Sequence, residues 1–155
     1  EFLKGGPKLP ETTLISTLKS WTVLNQDAEN FSGTAKYETT FNKPKLEADN
    51  WQLNLGDVRE SAKVWLNDVY IGDTWSVPFI LNTGTLKEEN KLTIQVTNLS
   101  ANRIRAKEIR GEEWKIFNEI NMVDKDYKKF DATQWQPMPS GLLGDVTLTP
   151  LKLIN

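Results

Sequence analysis

Six tryptophans and a short polar run from Asn98 to Arg103 are the residues of this chain best equipped to recognise another molecule. An indole offers a flat face on which the C–H face of a sugar ring can stack, while amide and guanidinium groups bond the surrounding hydroxyls. Trp75 follows Gly72-Asp73-Thr74 and precedes Ser76-Val77-Pro78, so it falls on or beside a loop, where binding residues concentrate, and reads equally as a ligand contact or a lid on the core. Trp114 and Trp135 fall in or beside a long irregular stretch, with the same two readings open. Trp21 and Trp51 share alternation with apolar neighbours and read as core, whereas Trp65 points away from Val64 and Leu66, toward a second layer or solvent. Asn98, Asn102 and Arg103 can grip vicinal hydroxyls or a carboxylate; the same three can instead serve turn geometry and a local ion pair.

The acidic residues offer less. Asp124, Asp126 and Asp131 form an acidic loop that is a candidate for structural calcium through oxygen ligands, although it lacks the glycine and terminal glutamate of an EF-hand. Glu88-Glu89 and Glu112-Glu113 are adjacent pairs. A glycosidase needs two carboxyl groups about 5 to 10 Å apart across a bond, from different elements, so these read as solvated surface acids. The chain has no histidine and no cysteine, which excludes an ordinary zinc site, a Ser-His-Asp triad, thiol chemistry and disulfides. No cofactor is required by any motif, and an enzyme made of this chain alone would depend on carboxylates.

The elements that must position these residues read as strands. Ala62, Val64 and Leu66 alternate with Lys63, Trp65 and Asn67; Asn67-Asp68 supplies a turn; Val69 and Ile71 resume the alternation as the second arm of a hairpin. Leu92, Ile94 and Val96 alternate with Thr93, Gln95 and Thr97, a strand with one buried face. Gly33 to Phe41 and Trp51 to Leu55 read as further strands, and Trp21 to Leu24 as a first one. Val146 to Leu153 reads as a closing strand in which Pro150 marks an edge or a bulge. From Ser100 to Gln136 the pattern dissolves into a long excursion, with Glu112 to Met122 expected to form one short helix. Residues 1–10, with Gly5-Gly6-Pro7 and Pro10, read as a linker or an extended leading strand, and 11–155 as a single domain.

Strands at this spacing predict an all-β, antiparallel β-sandwich. Its core is expected from Trp51, Leu53, Leu55, Val64, Leu66, Leu92, Ile94 and Val96. The 155 residues suit one domain, and 19 basic against 21 acidic residues leave no positive excess for nucleic acid or an anionic membrane. No apolar run approaches the roughly 20 residues of a membrane span. The opening EFLKGG has no basic and apolar leader and reads as a mature end, an excised fragment or a cloning junction.

Taken in order, GTAKYETTF, VWLNDVYIGDTWSVPF and ENKLTIQVTN resemble the β-jelly-roll sugar-binding domains, galactose-binding-like in fold, that accompany the catalytic barrels of glycoside hydrolase family 2. GGPKLP near the start, NLSANRI at 98–104 and PSGLLGDVTL at 139–148 narrow the resemblance to the C-terminal β-sandwich of family 106 α-L-rhamnosidases. There the closing motif usually reads S-G-L-L-G-P-V; here Asp145 replaces the proline. The resemblance covers nearly the whole chain. It implies a noncatalytic, secreted, periplasmic or cell-surface bacterial module that contacts a plant or microbial glycan, rhamnose- or galactose-containing, with a neighbouring catalytic domain as its partner. It also singles out NLSANRI as a loop able to reach that neighbour's active site.

Overall fold

The computed structural model describes residues 1–116, 123 and 125–152. Among the described residues, ten strands form two facing antiparallel sheets and one small ribbon. They are β1 (Phe2–Gly6), β2 (Ser32–Asn42), β3 (Asn50–Asn54), β4 (Val58–Arg59), β5 (Ser61–Leu66), β6 (Val69–Thr74), β7 (Ile80–Gly84), β8 (Glu89–Thr97), β9 (Gly141–Leu142) and β10 (Thr147–Leu151). One sheet has the order β1-β2-β8-β5-β6, the other β10-β3-β7, and β4 pairs with β9. The all-β sandwich expected from the alternation is the observed architecture.

Period-two patterning dictates which residues meet. β8 sits between β2 and β5 in a register that pairs Ile94 with Tyr37 on one side and Val64 on the other. Val64, Ile94 and Val96 therefore share the inner face with Leu53, Leu55, Trp21 and Phe31 in the main core. Trp51, Leu66 and Leu86 make a second cluster at one end. Every residue expected in the core is buried.

The turn between β5 and β6 has Asn67 and Asp68 at φ 53° and 65°, the left-handed pair that a two-residue hairpin needs and that these residue types tolerate. β1 runs so close to β2 that a Cβ on Gly5 or Gly33 would collide with the carbonyl oxygen of the opposite strand. Both glycines hold the extended positive-φ conformation that makes this approach available. The leading segment is thus a strand of the larger sheet. β10 is an edge strand of the smaller one, so Pro150 costs no ladder bond on its free side.

Two expectations are corrected. Trp21–Val23 is a 3-10 turn, with the Ser20 hydroxyl accepting from the Thr22 N–H. Trp21 and Leu24 turn inward while Val23 faces solvent, an i, i+3 spacing that belongs to this turn and not to a strand. A short helix, α1 (Gln26–Glu29), follows. The main helix, α2, lies at Ala101–Ile109, earlier than expected. Its buried stripe is only Asn102 and Ala106, one polar and one small residue, so no apolar period announces it. Glu112 to Ile116 are not helical, and 117–122 lie outside the described residues.

Candidate functional site

The register gathers most of the candidate residues at one end of the five-stranded sheet. Thr34 pairs with Thr97, Thr97 with Ser61, and Ala62 with Thr74, so the ends of β2, β8, β5 and β6 form one row. Trp75 leaves this row from β6, while Asn98 and then α2 leave it from β8. Neighbouring strands are about 4.8 Å apart, which sets the starts of these two loops roughly 10 Å from each other.

Trp75 is 73% exposed and is followed by exposed Ser76, Val77 and Pro78 before Phe79 returns to the core. Its indole faces solvent at the position where stacking is available.

Asn98 and Asn102 are spent internally. Asn98 Oδ1 accepts from the Gly33 N–H at 2.9 Å, and its Nδ2 donates to Phe31 O at 3.0 Å and Ser140 Oγ at 2.9 Å. Asn102, 2% exposed, accepts from the Met138 N–H at 2.7 Å. Its Nδ2 donates to Met138 O at 2.8 Å and Ser140 Oγ at 3.3 Å. Each amide has used both donors and an acceptor on neighbouring chain, which leaves them as staples that hold residues 138–140 against β2 and α2. The geometry favours the turn-stabilising reading of these two asparagines over a direct grip on hydroxyls.

Arg103 is different. Its guanidinium lies against Gly6, where an added Cβ would stand 3.2 Å from Cζ, and it is exposed, with no ion-pair partner among the described residues. Five donors in a planar fork are therefore available there.

Beyond α2 the chain builds an aromatic cluster. Phe130 lies edge-on to Trp114 and to Trp135, with centroids 5.9 and 5.6 Å away. Lys115 Nζ stands 5.5 Å from the Trp114 ring and 5.2 Å from the Phe130 ring, and 2.7 Å from Glu108 Oε1. Glu108 also accepts from Trp114 Nε1 at 2.7 Å. The hydrogen bond from Lys115 holds the Glu108 carboxyl below the usual carboxylate range, against partial burial, with help from Trp114. Trp135, 41% exposed, is fixed through its carbonyl, which accepts from Arg105 Nε at 2.7 Å while Arg105 pairs with Glu29. A cleft of about 700 Å3 opens beside Trp114, Glu108 and Tyr127.

Sequence reasoning selected Trp114 and Trp135 but missed Phe130, Lys115 and Glu108, which organise them. Trp114 to Lys115 adjacency and the i, i+7 step from Glu108 were the available signal. It also left Trp65 open between two settings. Trp65 is half-buried on the outer sheet face against Tyr70, with centroids 5.5 Å apart.

The acidic loop is dispersed where it is described. Asp131 accepts from the Thr133 N–H at 2.8 Å and Asp126 meets Lys125 at 3.0 Å, while Asp124 lies outside the described residues. No group of three metal-ligating side chains occurs among the described residues. Glu112 pairs with Arg110 at 2.6 Å and Lys107 at 3.7 Å, as a surface acid.

Comparison with known proteins agrees with this picture at the level of fold and kinship. No family profile matches the chain. A curated protein of Formosa agariphila, provisionally named a beta-glucuronidase, is 44% identical over 93 residues, 56% of this chain and 8% of that protein. The solved rhamnosidase of Novosphingobium sp. PP1Y superposes with a TM-score of 0.63 at 27% identity, over 80% of this chain and 11% of that one. A beta-glucuronidase of Ruminococcus gnavus shares the fold, with a TM-score of 0.51 at 19% identity over 58% of this chain and 17% of its own. The chain is a β-sandwich similar to a domain-sized piece of glycoside hydrolases. It spans about a tenth of the length of the first two relatives.

Proposed function

We propose that this chain is a noncatalytic carbohydrate-binding accessory module, of jelly-roll type, from a secreted, periplasmic or cell-surface bacterial glycoside hydrolase that degrades polysaccharide and is α-L-rhamnosidase-like. The observation that carries the reading is the exposed Trp75 at the β6 edge of that end of the sheet; at its opposite, β1 edge the Arg103 guanidinium, which has no ion-pair partner among the described residues, is a second contact point for a glycan chain long enough to reach both. An indole face and a fork of donors are complementary means of sugar recognition, and the Trp114–Phe130–Trp135 cluster beyond α2 is a separate aromatic surface. Glycans containing rhamnose, galactose or a uronic acid are the substrates to test, a uronate carboxylate being the natural partner of Arg103. Calcium at Asp126 and Asp131 is not needed for this contact.

Isothermal titration with pectic and rhamnose-containing oligosaccharides tests the proposal. Heat that disappears in both Trp75→Ala and Arg103→Ala, with the fold intact by circular dichroism, is the expected result.

A second reading is favoured by the exposed Val69, Tyr70, Trp75 and Val77 on β6 and its loop. Exposed apolar side chains at both ends of one edge strand suit packing against a catalytic domain. No heat with any sugar, together with binding of a separately produced catalytic domain that Trp75→Ala abolishes, would favour that reading.

A further inference from the structure

A cavity of about 470 Å3 lies inside the sandwich, away from the loops described above. Its floor is the inner face of β2 and β8, where Tyr37 is paired with Ile94 and Thr39 with Leu92. Trp21, Leu142 and Val146 wall it, and residues 12–19 pass over its mouth as a strap.

The reason it exists is a mismatch of sheets. Five strands face three, and β6 packs on β7 at one margin, so the β1 and β2 side extends past the free edge of β10. Only the strap covers the surplus. The strap fills it only in part: Leu18 packs against the core, while Leu14 is 100% exposed.

The lining has the character of a small-molecule site. The volume is in the range of ligand pockets; the floor and inner walls are apolar, while the paired Glu1, Lys36 and Glu38 and the polar residues of the strap stand around the opening. The polar group on that floor is Tyr37. Its hydroxyl oxygen accepts from the Leu142 N–H at 3.2 Å, while its own O–H proton has no acceptor among the described residues. Burial raises its pKa, so the proton stays on at neutral pH. A free sugar does not suit this floor, because the hydroxyls lying on Tyr37, Ile94 and Leu92 would lose water without replacement bonds.

We propose that the cavity between the sheets is a second binding site, for a planar apolar ring that bears one hydrogen-bond acceptor, with the ring on Ile94 and Leu92 and the acceptor on the Tyr37 O–H. The site is independent of the glycan contact at the loops.

Two probes of equal size separate the parts of the claim: acetophenone, which has a carbonyl acceptor, and isopropylbenzene, which has none. In an amide NMR titration of the full chain, acetophenone shifts Tyr37, Thr39 and Ile94 saturably, with a Kd on the order of 1 mM for so small a ligand. Tyr37→Phe weakens acetophenone about 5-fold, the loss of one neutral hydrogen bond, and leaves isopropylbenzene within about 2-fold. Thr39→Trp, at an exposed rim position, blocks both probes and leaves amide dispersion intact.

Absence of saturable shifts at these amides would overturn the proposal. So would a Tyr37→Phe variant that weakens both probes equally or neither. Methyl contacts between Leu14 and Ile94 in the unliganded chain would overturn it too, because the strap would then be its own occupant.

Discussion

The five-stranded sheet and the α2 excursion sit side by side and are held by opposite means. In the sheet, Val64, Ile94 and Val96 are anonymous members of an apolar layer, and any of them could be another aliphatic residue of the same volume. In the excursion, Asn102, Glu108 and Lys115 each hold a named partner through a bond that no apolar residue of the same volume makes. The sheet draws on the non-directional removal of apolar area from water; the excursion draws on satisfied polar groups. A scaffold of the first kind tolerates sequence drift, and a loop surface of the second kind keeps one shape for recognition.

The largest predicted effect tests the sheet. Ile94→Ala leaves a cavity beneath both β2 and β5 and should destabilise by about 2 to 5 kcal/mol. Urea denaturation would show it as a lower midpoint at an unchanged slope. A loss below about 1 kcal/mol would mean that the adjoining inter-sheet cavity lets the layer collapse, and that the sheet is less tightly packed than its burial suggests.

Next comes the staple. Asn102→Ala leaves the Met138 N–H without its partner, at a cost of about 1 to 3 kcal/mol if it stays dry, while the Met138 carbonyl keeps the Ser140 hydroxyl. The expected signature is local: amide exchange speeds up at Met138 and Ser140, while Ile94 and Val96 keep their protection. Equal loss of protection in β8 would show that the two regions unfold as one unit and that the contrast between them is only chemical.

Glu108 gives a pH test of the same region. Its carboxyl titrates lower in the folded chain than in the unfolded one, so the stabilisation it lends is complete above the unfolded value of about 4.3 and is lost as pH falls through the folded one. The Lys115 and Glu108 side chains are only 13% and 12% exposed, so added salt should screen the pair weakly. The Trp114 indole N–H resonance, bonded to Glu108, should move in this acid window, and Glu108→Gln should remove the movement. A resonance that moves identically in the variant would assign the titration to another group.

The same division explains what could be read from the residues alone. Alternation at Leu92, Ile94 and Val96 states a face directly, Asn67-Asp68 states a turn, and Pro150 states an edge, because each is a local geometric demand on residue type. α2 was illegible because its inward positions are an asparagine and an alanine, whose fit depends on Met138 and Ser140 far along the chain. Asn98 and Asn102 looked like hands for a ligand for the same reason. An amide carries identical donors whether it faces solvent or a distant loop, and only the fold decides. Trp75 was legible as a loop residue because its neighbours are turn residues, but the choice between a ligand contact and a lid on the core was left to the fold, which exposes it.

That exposure supplies the smallest effect on stability and the sharpest on the comparison. Trp75 touches neither the apolar layer nor the staples, so Trp75→Ala should shift unfolding by no more than about 0.5 kcal/mol. If the excursion end is a recognition surface, the same variant removes sugar heat in calorimetry, a large functional change at almost no structural cost. A variant that loses stability and keeps the heat would reverse the assignment, placing Trp75 with the scaffold and leaving Arg103 and the Trp114–Phe130–Trp135 cluster to carry recognition.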